Sequence, residues 1–233
     1  MHFCHSSAIW KDFGELVPGV LAAERITPDA LVQGAVAKYA AVAESRLATH
    51  SEGELPEIRA WRRAFSRMGL KPTQYRCAAE SLLRRFRKEG SLPQFHPLID
   101  LCNAISIAFA IPVAVFDVSR ITGYVEVLYA TGSEIYTSFS GDEETPEPHE
   151  VIFADGAGIA HARRWTNRQS AYSAVREDTT SVLIVAEAMH ESADRDIPRL
   201  VDTMADELGA IWSVRPQTRV LTSSLSRFEF SQG

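Results

Sequence analysis

Residues 97–117 read PLIDLCNAISIAFAIPVAVFD, a long apolar run broken by a few polar residues at regular spacing. Leu98, Ile99, Ile105 and Phe109 recur at helical intervals and predict a helix with one buried side. Asp100, Asn103 and Ser106 fall three apart and share one stripe of that helix. Burying three hydrogen-bonding side chains costs free energy unless each finds a partner. The stripe is therefore either tied to neighbouring backbone or left to hold a polar ligand. After the helix, Ile111 to Asp117, opened by Pro112, reads as a buried strand.

Downstream, Ile121 to Phe139 alternates like half-buried strands with turn points at Gly123 and Gly132, and GDEETPEPHE (141–150) reads as an exposed acidic loop. VIFAD (151–155) and SVLIVA (181–186) are strand-like, the second ending in Glu187. Between them HARRWTNRQS (161–170) is unusually polar for a link between apolar strands. A helix over about 197–208 and an edge strand within 217–230 complete this half. Upstream, strands are expected around Ala8–Trp10 and Val17–Ala22, and a helix from the Thr27-Pro28-Asp29 start to about Ala48. Basic helices follow at 57–68, carrying Trp61 and Phe65, and at 78–88. Residues 1–50 read as a strand/helix segment packed on the domain formed by 51–233.

The 233 residues, 45 % apolar and 23 % charged, describe an ordinary globular protein with a sizeable core. Three widely separated cysteines, Cys4, Cys77 and Cys102, suit free thiols in a reducing compartment. With no apolar run of membrane-spanning length and no secretory leader, a cytoplasmic location is expected. The net charge is −6, yet residues 59–88 hold ten cations against the single acid Glu80 and so carry +9. Arg62, Arg63, Lys71, Arg76, Arg84 and Arg85 within that window offer a surface for phosphates, or else a solvated helix face complementing the helix dipole.

His2, Cys4 and His5 crowd the N-terminus without the second half of a zinc site, and read as a disordered leader. No metal and no cofactor is expected. There is no G-x-S-x-G elbow, Walker loop or G-x-G-x-x-G, and Cys102 on an apolar helix reads as packing. What remains is Asp100, Asn103, Ser106, Arg163, Arg164, Trp165, Asn167, Arg168 and Glu187. An arginine pair with Trp and Asn suits a carboxylate or phosphate beside a flat group. Glu187 at a strand end needs a cationic partner, one of those arginines or a ligand amine.

The order YRCAAESLLRR (75–85), LIDLCNAIS (98–106), IPVAVFD (111–117), RRWTNRQS (163–170) and LIVAE (183–187) resembles the B3/B4 tRNA-binding domain. That domain is the editing module of the phenylalanyl-tRNA synthetase beta subunit and also occurs free-standing, and the likeness spans roughly residues 57–192. The resemblance implies a three-layer α+β fold, mixed β-sheets flanked by helices, with a pocket for the aminoacylated 3′ end of tRNA. It implies a trans-acting aminoacyl-tRNA deacylase that hydrolyses the ester of mischarged tRNA, a second sieve where binding selectivity falls short. Asn103 and Glu187 occupy positions that line the family pocket and are the catalytic candidates. Asp100, Ser106, Arg163, Arg164, Trp165 and Asn167 are the substrate-binding ones, and the basic window faces tRNA; no membrane or DNA partner is expected. In one departure, Ala114 stands where the synthetase strand carries a histidine. A non-catalytic module that binds tRNA or an amino-acid-like ligand is the alternative, and a structural role on the same fold is a third.

Overall fold

The structure is a computed structural model and describes residues 1–231. Its elements in chain order are β1 (His2–His5), α1 (Ser7–Asp12), β2 (Val17–Ala23), α2 (Gln33–Leu47), α3 (Pro56–Arg67), α4 (Ala78–Glu89), α5 (Pro97–Phe109), β3 (Val113–Asp117), β4 (Tyr124–Tyr129), β5 (Tyr136–Thr137), β6 (Glu143–Glu144), β7 (Val151–Asp155), β8 (Ala160–Arg163), β9 (Arg168–Gln169), β10 (Val182–Ala188), α6 (Ala193–Trp212), β11 (Gln217–Val220) and β12 (Arg227–Glu229).

The layers follow from the alternation of β10. Successive strand residues face opposite sides, so Val182, Ile184, Ala186 and Ala188 join α5 and α6 in one core, while Leu183 and Val185 join Phe3, Val20, Phe116 and Phe153 in the other. Burial on both faces is why the strand reads as an unbroken apolar run. β10 belongs to a four-stranded sheet ordered β11-β2-β10-β3, and the larger sheet runs β12-β1-β4-β7-β8-β9. Its β1–β4 ladder is parallel and its other ladders are antiparallel. Sheet, sheet and helices thus form three layers, a mixed-sheet α+β fold. α6 lies close to β2 at Gly19, where a Cβ would come within 2.5 Å of the Val201 side chain and 2.8 Å of Ile197.

α5 forms as the apolar spacing predicts. His96 caps it by accepting the Leu98 amide at 3.2 Å, Pro97 fills the first position, and Ala110 ends it in the left-handed region at φ 57°. The Ser106 hydroxyl donates to the Ile111 carbonyl at 2.6 Å and closes the link into β3, so this member of the stripe is spent on backbone.

Three N-terminal expectations change. The expected leader is β1, inserted between β4 and β12. The expected strand around Ala8–Trp10 is the helix α1, whose N-cap Ser6 accepts the Ile9 amide at 3.4 Å. Pro28 and Asp29 form a turn, and α2 starts only at Gln33. Among the described residues no helix is long and apolar enough to cross a membrane.

Candidate functional site

Glu187 falls on the same side of β10 as Leu183 and Val185 by the period of two, which puts a carboxylate between the two sheets. It is 1 % exposed. Such a group is stable only if donors replace its water. Oε1 lies 2.7 Å from His5 Nε2, and Oε2 accepts the Trp165 indole N–H at 3.0 Å. Among the described residues His5 Nδ1 has no partner, so a single ring proton belongs on Nε2, donating to the carboxylate. The Trp61 indole N–H donates to the Glu187 carbonyl at 3.2 Å. Of the two partners expected for Glu187, an arginine or a ligand amine, no arginine reaches it among the described residues, and two ring N–H groups hold it.

The tight β8–β9 turn delivers Trp165. Arg164 and Trp165 both take left-handed backbone, φ 48° and 56°, which is costly for side chains of this bulk. The Trp165 amide donating to Val151 O at 2.7 Å and the Arg164 amide donating to Glu150 at 2.8 Å hold the turn. The buried indole meets Trp61 edge-on at 5.1 Å and Phe13 at 4.7 Å between ring centres.

Beside this group lies a small cavity of about 50 Å³, lined by Ala114, Trp165, Thr166, Asn167, Gln169 and Glu187 among others. Thr166 keeps a buried hydroxyl without a hydrogen-bond partner among the described residues. In a native interior such an orphan needs an explanation, and a bound ligand or water is one. Asn167 donates to the Arg76 carbonyl at 2.7 Å, and Gln169 to the Val115 carbonyl at 2.6 Å. These bonds tie the turn to the loop before α4 and to β3. No histidine lines the cavity.

Of the residues expected here, the structure brings together Trp165, Asn167 and Glu187, with Arg168 also on the wall. Asp100, Asn103 and Ser106 do not line this cavity. Arg163 is buried in a separate cluster, donating to Glu150 at 2.9 and 2.8 Å and to Glu144 at 2.5 Å. Burial works to raise the Glu150 pKa, but those bonds outweigh it and hold the carboxyl below its ordinary value. Arg164 extends over the Tyr75 ring at 4.9 Å. His5 and Thr166 were missed. Thr166 sits inside the quoted RRWTNRQS, and His5 shares the buried side of β1 with Phe3, a period-two signal only four residues long.

The basic window is less free than its count suggests. Arg62 and Arg76 pair with buried Glu80, Arg84 and Arg87 with buried Glu52, Arg85 with Glu89 and Arg67 with Glu15. Of the six cations expected to face tRNA, only Arg63 and Lys71 lack an acidic partner among the described residues. Cys102 is buried against Met204 Sδ at 3.8 Å, and burial pushes its thiol pKa up, which suits packing rather than nucleophilic attack.

Comparison with known proteins places this geometry. Over 101 residues the chain is 28 % identical to the phenylalanine–tRNA ligase beta subunit of Shewanella oneidensis, a match covering 43 % of this chain and 12 % of that subunit. A crystallised N-terminal fragment of the phenylalanyl-tRNA synthetase beta subunit from Pyrococcus horikoshii superposes with a TM-score of 0.47 at 10 % identity, over 95 % of this chain and 54 % of the fragment. The family described as the B3/4 domain matches residues 60–203, which takes in α4, α5, the β8–β9 turn and Glu187, and the chain therefore belongs to the B3/4 domain family.

Proposed function

We propose that the chain is a trans-acting aminoacyl-tRNA deacylase whose cavity beside Glu187 receives the aminoacyl group at the tRNA 3′ end. The observation that carries this reading is a buried carboxylate held by two ring N–H groups and no arginine, facing a cavity with an unspent hydroxyl. Glu187 keeps its capacity for a substrate ammonium or a polar group on the substrate side chain. Family membership and the ligase relative support tRNA as the carrier.

An aminoacyl ester is already activated, so the site needs only to position water and stabilise the oxyanion. Water adds to the carbonyl carbon, the bond to the ribose oxygen breaks, and the ribose oxygen takes up a proton, releasing the free amino acid. Thr166 and Asn167 on the cavity wall position the water, a role expected of Asn103 from the sequence. Arg164 offers its guanidinium to the terminal nucleotide, and Arg63 and Lys71 meet the tRNA backbone.

Ester release from a panel of correctly and wrongly charged tRNAs, run beside Glu187→Ala and Thr166→Val, tests the assignment. Selective release by the parent chain, slowed on the order of 100-fold in both variants, is expected. A second reading, binding without turnover, is favoured by Ala114 on the cavity wall where the resemblance calls for a histidine. It prevails if no charged tRNA is hydrolysed while tRNA is still bound.

A further inference from the structure

One member of the polar α5 stripe, Asp100, lines a second cavity. Asp100 lines a space of about 210 Å³ between α2, the end of α4, the loop from Gly90 to Gln94 and α5. Val32, Val36, Phe86, Ala104 and Ile107 give it an apolar wall, with Gln33, Ser91 and Gln94 among the polar members. Asp100 is the only charged residue among those lining it. Its Oδ1 accepts the Phe95 amide at 2.9 Å, the His96 backbone and ring lie close by, and no arginine or lysine pairs with the carboxylate among the described residues. Burial raises the Asp100 pKa, so the charged form lacks the compensation it would have in water. Leu31 and Phe95, next in sequence to lining residues, are 83 % and 72 % exposed.

Size and charge define what fits. An apolar cavity of about 150 Å³ holds a benzene-sized guest, so this one takes a single ring with a short chain. A carboxylate without a cationic side-chain partner favours a cation, disfavours any anion, and gains little from a neutral guest. We propose that this cavity is a second binding site, distinct from the Glu187 cavity, for a small amphipathic organic amine, with its ring against Phe86 and Ile107 and its ammonium on Asp100. A free amino acid is a poor fit, because its carboxylate would lie beside that of Asp100.

The test is calorimetric titration of the full chain with 2-phenylethylamine, 2-phenylethanol and phenylalanine. The parent chain should bind the amine at least 10-fold more tightly than the other two. Asp100→Asn, which keeps an oxygen for the Phe95 amide, should bring the amine down to the level of the alcohol. Ala104→Phe, which fills the space, should abolish binding of both, and Glu187→Gln should leave it unchanged. Unchanged far-UV circular dichroism with a cooperative melting transition in Asp100→Asn and Glu187→Gln establishes that they are folded. The proposal fails if the amine shows no advantage over the alcohol, if its binding survives Asp100→Asn in full, if Glu187→Gln alone removes it, or if none of the three probes binds saturably.

Discussion

Glu187 and Glu80 are equally buried, each 1 % exposed, and are stabilised in opposite ways. Glu80 sits under the basic face of α3 and α4, bridged by Arg62 at 2.6 Å and Arg76 at 3.3 Å, with buried Glu52 beside it bridged by Arg84 and Arg87. Glu187 meets only ring N–H groups. In the first case arginines pair with the carboxylate; in the second, among the described residues, no arginine or lysine does. The contrast separates acids paired with arginine from one held by ring N–H groups beside a cavity.

Removing Glu187 is expected to give the largest effect: Glu187→Ala should slow deacylation about 100-fold or more and strand two buried donors, at roughly 1–3 kcal/mol of stability each. Urea unfolding and ester release measure the two losses. Next comes Glu80→Ala, which should cost about 2 kcal/mol, less than breaking a fully buried pair because both guanidiniums reach solvent. It should also tighten tRNA binding at low salt by freeing two arginines, and unchanged binding would mean that this face never meets RNA. His5→Asn weakens one hydrogen bond to the carboxylate and should lower turnover about 10-fold, with tRNA affinity unaltered in a filter-binding assay.

The Arg163 cluster supplies a pH signature. Because the folded Glu150 pKa is depressed, its stabilisation is complete above the ordinary carboxylate value near about 4.3 and is lost as pH falls through the lower folded value. Melting temperatures between pH 6 and pH 3 should therefore drop less steeply in Arg163→Met than in the parent chain. The smallest effect is expected for Arg63→Ala, which should reduce the salt dependence of tRNA binding by about one unit of slope.

Where burial is local or two-sided, the sequence reports it directly. VIFAD is β7 residue for residue, and SVLIVA runs into β10, because strands buried on both faces need no partner to be recognised. α3, α4 and α5 follow from helical spacing for a similar reason. β1 could not be read that way. It is four residues long, begins and ends in histidine, and exists because β4 and β12 supply hydrogen bonds from far along the chain. His5 was lost with it. The stripe of Asp100, Asn103 and Ser106 lies on α5 as the spacing predicts, but spacing shows that residues share a face and not what each one meets: Asp100 lines the cavity beside α2, and Ser106 is tied to the Ile111 carbonyl. The charge count over 59–88 leaves out distant partners, as Glu52 and Glu15 lie outside the window in sequence and against it in space.

The contact between His5 and Glu187 joins residues 182 positions apart. A growing chain exposes His5 long before β10 has been made, and non-local contacts of this kind form late. The carboxylate therefore gains its His5 donor only when the first strand and the tenth have both found their sheets, and this single contact becomes a reporter of completed folding.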